Sequence, residues 1–176
     1  MNIQTLSDLY RHMEWADAAV WTAVLDCEHG RTDTKLRNYL QHLHIVQRAF
    51  LRTWHGEPRD TPYPAFDDAE ALMKWGRSYY ADAHAYLSKL TDAEVSQSMP
   101  VAWAKMVEQL LGRAPASTTL GETLLQVALH SLYHRGQVNA RLREVGGKPP
   151  LVDYIAWVWF GRPPAEWPSL VAPGSQ

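Results

Sequence analysis

The richest chemistry in this chain lies in His130-Ser131-Leu132-Tyr133-His134-Arg135-Gly136-Gln137, inside a stretch from Thr119 to Gly146 that reads as one long helix. Residues four apart on an α-helix stand one above the other, with Cβ atoms roughly 5–6 Å apart. His130 and His134 therefore point the same way and can share one metal ion, at about 2.0–2.1 Å per nitrogen. Gln126 and Gln137 extend the same face, where a purely structural stripe would carry Leu or Val, and this polar line predicts an internal site. A metal needs at least one further protein ligand from elsewhere in the chain.

Two candidates for that ligand sit on the second predicted helix, which runs from Thr32-Asp33 to about His55. Its apolar stripe is Leu36, Tyr39, Leu40, Leu43, Phe50 and Trp54, and at ~100° per residue His42 and His44 fall on opposite flanks of it. His42 shares its flank with Ile45, Val46 and Ala49, whereas His44 shares the other with Arg37, Arg48 and Arg52. A ligand needs a neutral imidazole in a sheltered place, and cations belong on a solvated or inter-subunit side. His42 is the expected third ligand. Cys27 is the only cysteine, so nitrogen and oxygen must hold any metal; with no cationic or basic neighbour in sequence, it reads as a small buried filler.

The elements that must position these residues are helical. Thr5-Leu6-Ser7-Asp8 has the form of a capping box, and apolar residues from Leu6 to Val24 at helical spacing predict a first helix to about Glu28, stopped at Gly30. After a Pro-rich connection over 59–66, a third helix is expected from Asp67 to Leu90, with Leu72, Trp75, Tyr79, Ala83, Tyr86 and Leu90 facing the core and His84 at the boundary. Between Thr91 and Ser117, a short helix from Ala104 to Leu111 should end at Gly112, in a link placed to cover the open end of the site. Thr119-Leu120-Gly121-Glu122 caps the histidine helix, which makes Glu122 a cap rather than a base, and Gly146-Gly147 stops it. A short apolar helix, Val152 to Phe160, and an irregular tail from about Gly161 follow. Four long helices with short additions predict an all-α, four-helix bundle in a single domain over 1–176.

The bulk properties narrow the function. A net charge of −2 and 46% hydrophobic residues speak against nucleic acid or an anionic membrane as partner. No apolar run approaches the roughly 20 residues that span a bilayer, and the start Met1-Asn2-Ile3-Gln4 lacks a secretory pattern, so a cytoplasmic protein is expected.

The helix order, a His on the second helix, and the string His130, His134-Arg135-Gly136-Gln137, Leu142-Arg143, Gly146, Pro149-Pro150 and Asp153 together resemble the DinB/YfiT-like proteins. This family is named for a DNA-damage-inducible bacterial member. Trp15-Ala16-Asp17 extends the likeness to the first helix, where the family often carries W-A-N. The resemblance implies an up-down-down-up bundle, commonly a homodimer, holding a divalent metal, zinc or nickel, on three histidines. Here those would be His42, His130 and His134. The third ligand is usually followed five residues later by an acidic residue, and Gln47 stands at that place after His42.

Three neutral histidines leave a coordination position open, as catalytic sites do. Several relatives resemble thiol-dependent S-transferases or isomerases that use an external low-molecular-weight thiol, such as bacillithiol or mycothiol. The first expectation is therefore a metal-dependent transferase or hydrolase acting on a small molecule. No general base is evident: Tyr133 reads as packing and Arg135 as a tie to a neighbouring helix. The alternative is a non-catalytic metal-binding stress-response or interaction protein.

Overall fold

The structure is a computed structural model that describes residues 2–58, 60–101 and 103–169. Among these residues it is all helical: α1 (Ile3–Asp26), α2 (Glu28–Thr32), α3 (Thr34–Trp54), α4 (Ala69–Leu87), α5 (Asp92–Val95), α6 (Ala104–Leu111), α7 (Leu120–Glu144) and α8 (Tyr154–Trp159). The only β-type pairing described is an isolated bridge between Ser98 and Thr119. Among the described residues no helix is long and apolar enough to cross a membrane.

The four long helices form a ring of neighbours, as the bundle reading requires. α1 packs on α4 and α7, and α3 packs on the same two, with α3 against α7 the most extensive pairing. That pairing is also pinned at one end. Asp33 caps α3 by accepting from the Leu36 amide at 2.7 Å, and the same carboxylate accepts from Arg141 Nη2 at 2.7 Å and Nε at 3.2 Å. Since α3 carries His42 and α7 carries His130 and His134, the two-pronged contact fixes the register of the elements that matter.

Local signals decide most boundaries. Thr119 and Glu122 form the expected reciprocal box at the start of α7, and Gly112 ends α6 in the left-handed conformation, φ 63°. Three expectations are corrected. The first helix is capped by Asn2, whose Oδ1 accepts from the Thr5 amide at 2.8 Å, so Thr5 to Asp8 lie inside the helix. It ends before Gly30, because Cys27 turns extended (φ −93°, ψ 115°) and Gly30 becomes an interior residue of α2. Cys27 is accordingly half-buried at that break, where its Sγ accepts from the Gly30 amide at 3.3 Å. The third long helix is shorter than its periodicity suggested, and its buried face includes Met73, Gly76, Tyr80 and Leu87 while Trp75 and Tyr86 lie at the margin.

Apolar packing comes in two blocks. One gathers Leu6, Tyr10, Met13, Phe50, Trp54, Tyr79 and Val127; the other gathers Val20, Trp21, Leu36, Leu40, Leu72, Val138 and Leu142. Between the blocks each long helix buries at least one polar or tiny residue: Asp17 on α1, His44 and Gln47 beside Leu43 on α3, Gly76 on α4, Ser131 and Arg135 on α7. A buried polar layer thus crosses the middle of the molecule. The described part of the tail is irregular as expected, yet it is held down: Trp167 Nε1 donates to Glu14 Oε1 at 3.1 Å and its ring lies 5.8 Å from that of Tyr80.

Candidate metal centre

His130 and His134 project from one face of α7, one turn apart, and His42 meets them from α3. One ligand-capable nitrogen of each lies within 4.8 Å of the others. The Nε2 atoms of His130 and His134 are 3.1 Å apart, and the His42 ring centroid is 5.4 Å from that of His130 and 4.6 Å from that of His134. Nitrogens arranged tetrahedrally at about 2.0–2.1 Å from one ion stand about 3.3 Å from one another. The α7 pair already has that spacing.

Proton placement leaves His134 with a nitrogen able to ligate. His134 Nδ1 lies 2.8 Å from Gln137 Oε1, a carbonyl that can only accept, so Nδ1 carries the hydrogen and Nε2 is left with its lone pair facing His130. Burial, reinforced by His134 and His42, pushes the His130 imidazole down to about 4, and burial followed by His134 lowers His42. Both are therefore neutral near pH 7, the form that ligates. The donor set fits a borderline divalent ion held by imidazole nitrogen.

The location differs from expectation. The polar face of α7 opens at the surface: His42 is exposed and the other two are half-buried. His44 is fully buried, although shelter was the ground for preferring His42. Cations on the His44 flank do not imply solvent. Arg48 lies over the Trp75 ring, its guanidinium carbon 4.8 Å from the centroid, and donates to the Trp75 carbonyl at 2.8 Å. Long cationic side chains can cover an apolar flank while keeping their charge near water. Tyr133 is not packing either, being 64% exposed with its ring 5.1 Å from His134 in an edge-on arrangement.

Directly beneath the triad lies the polar layer. Gln47 is its hub: Oε1 meets His44 Nδ1 at 2.8 Å, and Nε2 lies 3.0 Å from Asp17 Oδ2, 3.2 Å from Tyr80 Oη and 3.2 Å from Ser131 Oγ. Two hydrogens on Nε2 serve three oxygens. Tyr80 donates to Asp17, and Arg135 Nη1 reaches Asp17 Oδ1 at 2.8 Å, with both partners 2% exposed. Trp21 Nε1 donates to His44 Nε2 at 2.9 Å, which makes Nδ1 the protonated nitrogen and matches its bond to Gln47. Arg135 thus ties α7 to α1, as expected. Sequence reading missed that Gln47 is the centre of this layer, though its position three residues after a histidine on the buried stripe was the available signal.

Glu122 spends both its carboxylate contacts on the cap, accepting from the Thr119 amide at 2.7 Å and from Thr119 Oγ1 at 2.9 Å. The link between α5 and α7 does border the site. Val101, Trp103 and Val107 wall a groove that ends at His130.

No curated protein and no solved structure matched the chain. The model of the DinB family matches residues 1–164, nearly the whole chain, including every residue of the triad and of the polar layer. The chain belongs to the DinB family.

Proposed function

We propose that this protein is a divalent-metal-dependent enzyme, of the thiol-dependent S-transferase or hydrolase class, acting on a small molecule. His42, His130 and His134 are the proposed ligands. The observation that carries the reading is the pair of Nε2 atoms 3.1 Å apart, one of them stripped of its hydrogen by the neighbouring Gln137 bond. A zinc or nickel ion held by three imidazoles would supply Lewis acidity and lower the pKa of a bound thiol or water. The chain's own residues do the rest. Gln137 fixes the tautomer and rotation of His134, and the Asp33–Arg141 contact holds the register of α3 against α7, the helices that carry the three rings. Among the described residues no carboxylate joins the triad, so the acidity of an external low-molecular-weight thiol, rather than a protein base, would generate the nucleophile.

That same lack of a protein base favours the second reading, a metal-binding stress-response or interaction protein without turnover. Elemental analysis of protein purified without added metal, paired with conjugation of 1-chloro-2,4-dinitrobenzene to bacillithiol or mycothiol, decides between them. Stoichiometric metal with metal-dependent conjugation supports the enzyme. Metal without conjugation supports the second reading, and no metal, together with no uptake on titration, removes both.

The proposal includes a homodimer. Leu129 (52% exposed), Leu132 (51%) and Tyr133 (64%) form an apolar stripe on α7 beside His134, suited to a second copy of the chain. Sedimentation at micromolar concentration tests it; a monomer would count against it.

A further inference from the structure

The groove that ends at His130 has a volume of about 630 Å³, inside the range of small-molecule sites. Its sides come from two separate parts of the chain. Val46, Ala49 and Phe50 of α3 face Trp103 and Val107 of the α5–α7 link, and the Phe50 and Trp103 rings meet edge to face at 4.9 Å. The lining is mostly apolar, and its polar groups are few. Thr123 Oγ1 is engaged by Trp54 Nε1 at 3.0 Å and Leu120 O at 2.7 Å, and Thr118 Oγ1 donates to Met99 O at 2.7 Å. Gln126, with its exposed amide, stands one turn before His130. Among the described residues no Lys or Arg lines the groove, and the one charged carboxylate along it is that of Glu122.

We infer that this groove binds the apolar body of an uncharged substrate, an aryl or alkyl electrophile, and presents its polar reactive end to the histidines. The inference rests on the metal-centre reading for what happens at His130, but the binding itself does not. An anionic substrate such as a phosphate ester or a carboxylate-tailed molecule would meet the Glu122 carboxylate along the body of the groove, where no described lining side chain is a Lys or Arg, and would set its charge against apolar walls. An apolar body gains from leaving water along the Phe50, Trp103 and Val107 walls.

The test uses the full chain and two fluorophores that differ in charge, N-phenyl-1-naphthylamine and 8-anilinonaphthalene-1-sulfonate. The uncharged probe is expected to bind with fluorescence enhancement, and the sulfonate about tenfold or more weaker. Val107→Glu, on the surface helix α6, is expected to weaken the uncharged probe about tenfold or more, while Val107→Leu keeps it. Glu122→Gln retains the capping geometry and is expected to narrow the gap between the two probes. Circular dichroism melts establish that the variants fold. No binding of the uncharged probe, equal binding of both probes, or indifference to Val107→Glu overturns the inference. Zinc titration of the same samples separates it from the metal reading. Probe binding lost with Val107→Glu in a protein that takes no zinc leaves the groove standing and sinks the metal centre; zinc uptake without probe binding does the reverse.

Discussion

His42 and His44 are two residues apart on α3 and live under opposite conditions. His42 is exposed and faces two other imidazoles, whereas His44 is fully buried, with Trp21 donating to one nitrogen and Gln47 accepting from the other. α7 repeats the contrast: His134 reaches the surface triad and the next residue, Arg135, enters the polar layer. The triad and the layer thus occupy the same level of the molecule, back to back. The layer has both nitrogens of its histidine filled by protein. The triad brings its three imidazoles together at the surface, open to something from outside. The two clusters differ in burial and in whether protein partners already occupy both nitrogens of the histidine.

The sharpest way to break that division is to remove one partner of the buried ion pair. Arg135→Ala leaves Asp17 charged and unpaired at 2% exposure and should cost about 3–5 kcal/mol in urea denaturation. His130→Ala should act in the opposite manner. It should weaken zinc affinity about a hundredfold or more by calorimetry, while costing the metal-free protein far less stability than Arg135→Ala does, because no buried charge is left unpaired. If His130→Ala destabilised the metal-free protein as much as Arg135→Ala does, the triad would be part of the structural layer and the comparison would fail.

The triad was legible in sequence because it depends on short-range geometry. A four-residue repeat on a helix, a T-x-x-E cap and a glycine stop suffice to place His130 and His134, whereas His42 joins them although the shelter that argued for it belongs to His44. The polar layer was not legible, because it needs one or two residues from each of four helices and its logic appears only once they pack. His44 was misplaced for a related reason: Arg48 on its flank is satisfied by Trp75 of α4, a partner no local window contains. Trp167 sits in a stretch whose prolines correctly forecast irregular backbone but say nothing of a tryptophan anchored on Glu14.

Gly76 sharpens the comparison from the layer's side. A Cβ there would lie 2.3 Å from His44 Nε2, so the absence of a side chain on α4 is what lets the His44 ring seat beside Trp21. Gly76→Ala gains about 1 kcal/mol of helix propensity but must displace a buried ring and break its hydrogen bonds. The net outcome should be a loss of about 1–3 kcal/mol in chemical denaturation, with zinc affinity close to that of the parent. An equal fall in zinc affinity would show that the layer positions the triad rather than merely lying beneath it.

The smallest effect is a slope. Burial lowers the pKa of His44 below its ordinary value of 6.5 in the folded protein. A proton on Nε2 would also oppose the Trp21 N–H that this nitrogen accepts. Above pH 6.5 both the folded and the unfolded chain hold His44 neutral, and the group has no effect on stability. As pH falls below 6.5 the unfolded chain takes up a proton that the folded chain refuses, so stability must fall with pH. Its slope approaches about 1.4 kcal/mol per pH unit until the folded pKa is reached. His12, His42 and His130 are lowered as well and contribute in the same direction, so the informative quantity is the difference between parent and His44→Gln. The variant should be less stable near neutral pH and lose less between pH 6.5 and 5 in urea denaturation. Parallel pH profiles would mean that His44 can be protonated in place, and that the layer is not closed to protons in the way its hydrogen bonds require.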